Sequence, residues 1–417
     1  MSTHLLLPDA DRKDPPEMNW LTRNVLGIGL TSLFSDMSHE MATSILPFFV
    51  ILVLGGNAAV VGLIEGSADG LASLFKSLTG YVSDKSGRRL PIMYLGYIAT
   101  GVFIPVIGFA TNVIEVFLLR VTAWVGRGAR GPPRDALMSD SATPSTIGRA
   151  FGFERALDSF GAVIGPAIVL LLIPRMSFSD IFFVSAVPAI VCVAAVVFLV
   201  KEVPRKRGTS GSGGKEGTGR AMPSFSETIR SLPRRFRLYL VSVGLFGIAN
   251  FSNVIFTLRA EQVLQPSIGE TQASELAVLL YVLLNLIYAL GCYPAGYFAD
   301  RVSKRNILAL GYICFVVACV ASIFEGPNYL VLAVIFVFAG LQAAVVDTVE
   351  KTYASEILGD FAKGTGFGVL QTVNGIGDFV SSSMVGLLIV FVSPALGFSV
   401  VAAIALGATF ILIGTMR

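Results

Sequence analysis

Ionisable residues interrupt the long apolar stretches of this 417-residue sequence. In LFSDMSHEMATSILP, His39 and Glu40 follow Asp36 by three and four positions, so a helix would carry them on one face. The segment GLIEGSADG places Glu65 and Asp69 on one helix face in the same way. Because an ionisable side chain is costly in an apolar environment, such acids predict proton transfer or the binding of a charged solute.

A buried base would complete this chemistry, and Arg120 lies within the fourth apolar stretch. With a rise of about 1.5 Å per residue, Asp36, Asp69 and Asp158 come out near the middle of a membrane. An acid that changes its basic partner between two states can take up and release a proton. We expect these aspartates to do so with Arg120 as the partner; static ion pairs between helices are the alternative. The predicted proton-coupling and cavity residues are Asp36, Glu40, Glu65, Asp69, Arg120 and Asp158.

The second half of the chain carries mainly amides where the first half carries charges. We therefore expect the first half to titrate and the second half to form neutral hydrogen bonds with a solute. The leading prediction includes no metal; a divalent ion held by Asp36, His39 and Glu40 is the alternative, since carboxylates and imidazole suit hard and borderline ions. The predicted substrate-cavity residues are Asn250, Asn253, Asn285, Gln342, Gln371, Asn374 and Asp378.

Long apolar stretches must position these residues. The sequence is 54% hydrophobic and only 14% charged, which is more apolar surface than one soluble core can bury. A membrane-spanning helix takes about 20 residues. We therefore predict an all-α integral membrane protein with twelve transmembrane helices, which begin near Asn24, Ala58, Pro91, Asn112, Ile147, Ser179, Leu238, Leu276, Arg305, Tyr329, Gly364 and Pro394.

Lys and Arg concentrate in alternate loops between these stretches. If the number of helices is even, Arg127, Arg130 and Arg134 fall in these basic loops. The loops on the opposite side are short and nearly neutral, apart from Arg175 and Arg259. Basic loops stay on the cytoplasmic side of a membrane. We therefore expect a multi-pass protein of the cell membrane, inner or plasma membrane, with both termini in the cytoplasm.

One loop sequence occurs twice, as GYVSDKSGRR from Gly80 and as GYFADRVSKR from Gly296, at an offset of 216 residues. At the same offset, GRAFGF from Gly148 aligns with GTGFGV from Gly364. Repeats related by an axis along the membrane normal are a recurring plan of secondary transporters. The predicted divisions are a cytoplasmic N-terminal tail at 1–21, a six-helix bundle at 22–200, a cytoplasmic linker at 201–237 and a second six-helix bundle at 238–417.

The linker changes character along its length. Gly, Ser and charged residues replace apolar ones at 201–225, which predicts a flexible connection. The following SETIRSLPRRFR carries Leu232 and Phe236 among bases. This pattern predicts a short helix on the lipid headgroups, with a solvated linker as the alternative.

The repeated loop resembles the signature loop of the major facilitator superfamily, and the resemblance covers the chain from about Asn24 onward. The first copy fills every place of the family pattern, whereas Ser303 replaces a glycine in the second. The resemblance implies two six-helix bundles around a central cavity that opens alternately to each side. It also implies a gating aspartate at the positive end of a helix in the opposite bundle, and we expect Asp84 to contribute more than Asp300. The gating-loop residues are Gly80, Asp84, Lys85, Gly87, Arg88, Arg89, Asp300 and Arg301.

The fifth stretch, FGFERALDSFGAVIGPAI, resembles the superfamily's antiporter pattern. Its glycines recur at the family's spacing and end in Gly-Pro, although Val169 and Leu170 replace the glycine pair that follows in the pattern. The resemblance favours export by antiport, with close helix packing as the alternative. The residues of this helix-5 motif are Gly152, Gly161, Gly165 and Pro166.

The predicted function is secondary active transport by alternating access, as a proton-coupled antiporter that exports a small organic solute. The alternatives are a proton symporter that imports a small polar metabolite, efflux of a metal ion or metal chelate, and more remotely a lipid flippase or a transporter-like receptor. An enzyme is not predicted, because phosphate-binding, nucleophile-elbow and metalloprotease motifs are missing. The expected partners are a small-molecule substrate, protons and the lipid bilayer, with no nucleic acid, no cofactor, the proton gradient as driving force, and a monomer as the working unit.

Overall fold

Helices account for almost all of the chain that the computed structural model describes, namely residues 20–203, 224–324, 326–359 and 362–415. These residues form no strand, and the predicted all-α class is confirmed. The first half contains α1 (Arg23–Phe48, continued by a π-helical turn at Phe49–Val53), α2 (Ala58–Ser86), α3 (Leu90–Val106), α4 (Val113–Ser141), α5 (Ile147–Leu172), α6 (Phe178–Val184) and α7 (Ala186–Leu199). The second half contains α8 (Phe225–Ser231), α9 (Arg234–Ala249), α10 (Val254–Ile268), α11 (Glu270–Arg301), α12 (Lys304–Ile323), α13 (Tyr329–Leu358), α14 (Lys363–Phe391) and α15 (Pro394–Thr415).

Ten segments of the described chain are long and apolar enough to cross a membrane. In these segments α6 and α7 form one span, and α9 and α10 form another. Helices α2 and α4 do not belong to the ten, although each has 29 residues and about 20 suffice. The prediction of twelve membrane helices is therefore confirmed for ten, and it stays a prediction for α2 and α4.

Two of the spans are broken along their length. Helices α6 and α7 meet at Ser185, whose carbonyl accepts a hydrogen bond from the Ser38 hydroxyl at 2.8 Å. Helix α9 ends before Asn250, and in the following segment the Ser252 N–H donates to the Ser382 hydroxyl at 3.1 Å. Backbone groups released from a helix inside a membrane need such partners. The breaks are therefore stabilised by side chains of neighbouring helices.

Successive spans run in opposite directions, with α6–α7 and α9–α10 each counted as one span, so the loops between spans fall on two faces. We call the face that carries the α2–α3 loop, the linker and the C-terminal end of α15 the inner face, which is the side predicted to be cytoplasmic. The opposite face is the outer face. The predicted tail at 1–21 lies almost wholly outside the described residues, as do residues 204–223 of the predicted linker at 201–237.

Helix α8 packs against the inner face of the bundle. Its first residue, Phe225, contacts Tyr81 of α2 with ring centroids 5.5 Å apart. Leu232 and Phe236 are buried in the main hydrophobic core. The segment is helical as expected, but protein rather than lipid covers Leu232 and Phe236, which corrects the prediction of a headgroup-bound helix.

Each half of the chain packs as one bundle, and two helix pairs form most of the contact between the bundles. In the first bundle α1 packs on α5 and α7, and α4 packs on α2 and α3. In the second bundle α13 packs on α11 and α12, and α9 packs on α14 and α15. The joining pairs are α2 with α14 and α5 with α11. Because α2 and α11 are repeat partners, as are α5 and α14, the two junctions are related by the repeat.

Glycines allow these two junctions to form. Gly80 on α2 lies against the carbonyl oxygen of Gly364 on α14, and Gly296 on α11 lies against that of Gly148 on α5. A Cβ atom at Gly80 or Gly296 would overlap that oxygen, so the helix backbones touch here. Small residues permit such close approach of membrane helices. The glycines that reveal the repeat in the sequence are thus the ones that bring the bundles together.

Candidate functional site

The inner face is closed by an aspartate at each junction. Asp84, near the end of α2, accepts hydrogen bonds from the backbone N–H groups of Gly364 at 3.1 Å and Thr365 at 2.7 Å. The Thr365 hydroxyl donates to the same carboxylate at 2.9 Å. These donors form the first turn of α14, where backbone N–H groups lack helical partners and the helix dipole favours an anion. Asp84 therefore ties α2 to the opposite bundle.

Asp300, at the end of α11, makes the equivalent contact with α5. It accepts hydrogen bonds from the N–H groups of Gly148 at 2.7 Å and Arg149 at 3.0 Å, and the Arg149 Nε lies 3.2 Å away. The two aspartates thus occupy the positions that the gating prediction requires. Their relative contributions to gating stay a prediction.

The remaining gating-loop residues divide into buried and exposed groups. Gly87 ends α2 with a φ of +68°, a left-handed conformation that favours glycine. Arg89 pairs with Asp140, which also accepts a hydrogen bond from Lys363 of the opposite bundle at 2.8 Å. Lys85 and Arg88 are exposed on the inner face. The loop therefore adds one charged connection between the bundles, through Asp140.

The second copy of the loop forms its turn without the missing glycine. Ser303 precedes α12 with a φ of −60°, which any residue adopts. Arg301 stacks its guanidinium over the Tyr297 ring, 4.1 Å from the centroid. The loss of the glycine is therefore accommodated by a different turn.

Three contacts between the bundles join residues that are repeat partners of one another. Lys351 pairs with Asp135 at 2.9 Å, and the hydroxyls of Ser139 and Ser355 lie 2.5 Å apart. Phe151 and Phe367 pack with ring centroids 6.1 Å apart. A residue can meet its own repeat partner only near the axis that relates the two halves. These contacts therefore mark the axis and form the floor of the space above it.

A cavity of about 940 Å³ lies above this floor, between the two bundles. It extends toward the outer face as far as Gly66 on α2 and Ser383 on α14. The hydrogen bonds and ion pairs of the two junctions and of the floor lie on its inner side. Asp69 and Asp378, on opposite walls, are solvent-exposed. The structure is thus closed at the inner face and open toward the outer face.

The first bundle lines the cavity with ion pairs. Arg127 lies 3.0 Å from Asp36, and Arg155 donates to Asp158 at 2.7 Å. Arg134 also lines the cavity and pairs with two acids behind it, Asp135 and Glu154. Arg127, Arg130 and Arg134 lie within α4 and not in a loop, which corrects their placement from the charge pattern.

The cavity wall brings together only part of the predicted proton-coupling set. Asp36, Asp69 and Asp158 line it, whereas Glu40, Glu65 and Arg120 do not. The prediction that Arg120 is the partner of the three aspartates is wrong for this state, because Arg120 pairs with Glu65 at 2.9 Å. The partner of Asp69 is the indole N–H of Trp124, at 2.8 Å.

Arg120 instead centres a buried cluster outside the cavity. Its guanidinium stacks on the Trp124 ring, 3.4 Å from the centroid, and donates to Thr43 at 3.0 Å. The His39 ring packs edge-on against the same indole. His39 lies 3.6 Å from Glu40, and no three His, Cys, Asp or Glu residues of the described chain converge as a metal site would require. The alternative of a divalent ion at Asp36, His39 and Glu40 thus finds no support.

The predicted amide set is also divided. Gln371, Asn374 and Asp378 line the cavity, but Asn250, Asn253, Asn285 and Gln342 do not. Asn250 supports the wall from behind, since it donates to Asp378 at 3.3 Å and accepts from Gln342 at 3.1 Å. The Asn285 amide donates to a carbonyl within its own helix. Asn250, Asn253, Asn285 and Gln342 therefore lie outside the cavity wall, which corrects their prediction as substrate-cavity residues.

The second bundle also contributes charges that the sequence analysis missed. Asp347, Glu350 and Lys351 of α13 line the cavity. They follow at intervals of three and four residues in AAVVDTVEKTYASE, the spacing that revealed the acids of α1. The expectation that the second half offers mainly neutral groups is therefore wrong. Lys76 of α2 is a further missed cavity residue.

The glycines of the helix-5 motif make close contacts on both sides of α5. Gly161 and Gly165 face the backbone of α1 at Leu33 and Met37, and Gly152 faces the Cys292 carbonyl of α11. Pro166 lies within α5 without ending it. The motif therefore packs α5 between the two bundles, which is the role that the packing alternative predicts.

Comparisons with known proteins agree with this architecture. The family model described as Major Facilitator Superfamily matches residues 28–382. An uncharacterized MFS-type transporter of Methanocaldococcus jannaschii is 31% identical over 371 residues, which cover 88% of this chain and 89% of the relative. The multidrug resistance protein MdtG of Escherichia coli is 23% identical over 193 residues, 45% of this chain and 46% of that protein.

Solved structures share the fold at low sequence identity. A bacterial homologue of the iron transporter ferroportin in an outward-facing state has a TM-score of 0.73 at 15% identity, covering 94% of this chain and 99% of that one. The proton:xylose symporter XylE has a TM-score of 0.71 at 13% identity, covering 94% and 96%. Together with the two bundles and the cavity between them, these matches show that the chain is an integral membrane protein and belongs to the major facilitator superfamily.

Proposed function

We propose that this secondary transporter exports a small hydrophilic solute in exchange for protons, by alternating access of the cavity between its two bundles. The observation that carries the proposal is the charged cavity itself, which is closed at the inner face by helix-end contacts. Such contacts can break as a unit when the bundles rock, because most of those described are hydrogen bonds and ion pairs at helix ends. Both termini would then lie in the cytoplasm of a cell whose plasma or inner membrane holds the protein.

The lining of the cavity favours a polar solute over a lipid. Both walls carry ionisable groups, with Asp36 and Arg127 on one and Asp347 and Lys351 on the other. A lipid flippase would need an apolar path for acyl chains, whereas charged walls compensate a charged or hydrogen-bonding solute. The charged cavity walls therefore favour a hydrophilic solute, whereas the fold alone favours no solute class, because one fold hosts many functions.

Two weaker observations support export. The glycine spacing of α5 resembles the antiporter pattern, and MdtG, which shares the fold family over part of the chain, is named as a multidrug resistance protein. Neither fixes a direction by itself. Direction therefore has to be tested with vesicles of known orientation.

Glu350 is the residue that we propose to carry the proton. It is 4% exposed and lies at the cavity wall, where the Asn374 amide donates to it at 2.7 Å and the Tyr312 hydroxyl lies 3.5 Å away. No basic side chain of the described structure forms an ion pair with it. A buried carboxylate without a cation is costly in its ionised form. The other titratable groups near it are Tyr239, Asp347, Lys351 and Asp378.

Three acids of the first bundle differ from Glu350 in having an arginine partner. Asp36, Asp158 and Glu65 each lie within 3.0 Å of an arginine. A nearby cation stabilises the ionised carboxylate. In this state each of the three therefore belongs to an ion pair with an arginine, whereas Glu350 has no such partner among the described residues.

Inside-out membrane vesicles test the direction and the coupling. The vesicles would have an acidic interior, with lumenal pH reported by pyranine, and would receive amino acids, organic acids and ethidium one at a time. Antiport export predicts that at least one solute accumulates and alkalinises the lumen. A proton symporter for import would instead release a preloaded solute under the same gradient. The proposal fails if no solute moves the lumenal pH beyond that of vesicles without the protein.

A further inference from the structure

The two walls of the cavity each present charge that the protein leaves uncompensated. On the first wall, the ammonium group of Lys76 forms no hydrogen bond or ion pair with any residue that the structure describes, although the side chain lines the cavity. On the second wall, Asp347 accepts a hydrogen bond only from the Tyr288 hydroxyl, at 2.6 Å, and Asp378 only from Asn250. Among the described residues, a cation thus faces carboxylates whose hydrogen-bond donors are all neutral groups.

The unpaired charges lie close together across the domain interface. A methyl group built at Gly375 of α14 would lie 3.9 Å from the Nζ atom of Lys76. Asp378 follows Gly375 by three residues, so its Cα lies about one helical turn, roughly 5 Å, farther toward the outer face. Lys76 and Asp378 are nevertheless not within ion-pair distance of each other. A site for an anionic group therefore lies about one turn below a site for a cationic group.

Arg127 extends the anionic site. Its side chain is 30% exposed, and Asp36 is its one ion-pair partner among the described residues, at 3.0 Å. A guanidinium has five N–H donors, so it can bind a second acid while it keeps the first. Arg127 and Lys76 both line the cavity. Together they can receive a carboxylate or a similar planar anion.

Closure of the outer face makes the charge balance of the solute important. When the bundles approach, water leaves the cavity and each unpaired charge loses its hydration. A purely anionic solute would compensate Lys76 but leave the carboxylates of the second wall, and a purely cationic solute would do the reverse. A solute that carries both charges compensates both walls at once.

We propose that the transported solute is a small zwitterion, with its anionic group at Lys76 and Arg127 and its cationic group at Asp347 and Asp378. This proposal rests on the proposed transport function, which it deepens by naming the substrate class. The spacing of the two sites favours a separation of roughly 5 Å between the charges. Short ω-amino acids have this chemistry.

Three probes of equal chain length test the inference on the purified protein: 4-aminobutyrate, butyrate and butylammonium. A ligand that binds only the folded protein raises its apparent thermal stability. We expect 4-aminobutyrate to stabilise the protein at concentrations at least roughly tenfold lower than either singly charged probe, since each lost contact to a charged group costs a factor of about ten or more. The same order should hold for ω-amino acids with one carbon fewer or one more.

Two variants give a signature that a structural role would not produce. Lys76→Gln should weaken the binding of 4-aminobutyrate about tenfold and leave butylammonium the stronger of the two singly charged probes. Asp378→Asn should weaken it similarly and leave butyrate the stronger. Lys201→Gln, at an exposed lysine beyond α7, is the matched control, and an unchanged thermal midpoint without ligand shows that each variant is folded.

The outcomes separate this inference from the proposed function. If no ω-amino acid stabilises the protein, or if butyrate or butylammonium alone does so equally well, the zwitterion inference is overturned. Transport of another solute against a proton gradient would leave the proposed function standing in that case. Binding of 4-aminobutyrate with the two opposite variant preferences, but without any proton-coupled movement in vesicles, would support the site and overturn the exchange.

Discussion

At the scale of single residues, the partner of each buried acid determines what the acid can do. Asp36 and Glu350 both line the cavity and are both buried, yet the first faces Arg127 and the second faces Asn374. An arginine keeps a carboxylate ionised, whereas an amide compensates it only weakly. We therefore assign a structural or substrate-binding role to Asp36 and proton transfer to Glu350.

Glu350→Gln tests that assignment. The amide keeps the shape and the Asn374 contact but cannot release a proton, so we expect transport driven by a pH gradient to fall by roughly 100-fold. Exchange of labelled for unlabelled solute at equal pH should persist, because it requires no net proton movement. Glu356→Gln, at a half-exposed acid of the same helix, should leave both rates unchanged. Equal loss of both rates would point to a structural role for Glu350.

The two junction aspartates give a second prediction at this scale. We expect Asp84→Asn to impair transport more than Asp300→Asn. The donors to Asp84 belong to the buried Gly364 and Thr365, whereas Arg149 beside Asp300 is one-fifth exposed and can regain water. A lost hydrogen bond to a charged group costs about 1.5–3 kcal/mol when the donor stays buried. The measurement is the initial transport rate of each variant at equal amounts of protein. Equal rates would refute the prediction that Asp84 contributes more than Asp300.

Residue types were predicted from the sequence more successfully than residue pairs. The i, i+3, i+4 spacing marked Asp36 and Asp69 correctly as cavity residues. The spacing could not show that Arg120 turns toward Glu65. A contact between two helices depends on how each helix is rotated about its axis as well as on how deep each residue lies in the membrane. The acids of α13 recur at the same spacing, so the sequence carries the same signal for them.

At the scale of helices, the crossings of α2 with α14 and of α5 with α11 decide whether the inner face can close. Gly364 lies beside Gly80, and a Cβ atom there would come within 2.6 Å of the Gly80 carbonyl oxygen. Such an approach leaves no space for a side chain. The crossings are therefore the elements on which the outward-open state depends.

Gly364→Val should push the inner face open and depopulate the outward-open state. The measurement is the alkylation of a cysteine introduced at Phe379, an exposed cavity residue, by a membrane-impermeant maleimide from the outer side. The four native cysteines are buried, which keeps the background low. We expect labelling to slow by roughly tenfold, equivalent to about 1.4 kcal/mol.

Gly386→Val is the matched control for that experiment. It lies on the same helix, and a side chain there meets open space. Labelling at position 379 should therefore keep its original rate. If Gly364→Val also left the rate unchanged, the crossing would not control the outer opening.

Helix starts were predictable from the sequence, whereas helix breaks were not. The predicted starts at Ala58, Ile147 and Tyr329 coincide with those of α2, α5 and α13. Pro188 lies close to the break at Ser185, and Gly247 lies close to the break at Asn250. Membrane helices also tolerate proline and glycine without interruption, so neither residue marks a break by itself. The breaks depend on partners such as Ser38 and Ser382, which only the packing of the bundle brings near.

At the scale of the whole molecule, duplication explains why the inner closure is symmetric. Divergence of the two halves after duplication explains why the cavity is not. The repeat places Asp135 opposite Lys351 and Ser139 opposite Ser355, so the halves meet through their own counterparts. The two-bundle plan could be inferred from the repeat and is shown by the family match. The charge of each cavity wall could not be inferred from the repeat. The two halves have diverged at positions that line the cavity, as Asp158 and Asn374 illustrate.

The central claim is that the inner face must open and close during transport, and a reversible cross-link across the axis tests it most directly. The hydroxyls of Ser139 and Ser355 are 2.5 Å apart, close enough for Ser139→Cys and Ser355→Cys together to form a disulfide under mild oxidation. We predict that the cross-linked protein loses solute exchange almost completely and regains it on reduction, while each single variant is unaffected by oxidant. Exchange that continues at the uncross-linked rate with the disulfide fully formed would contradict the account.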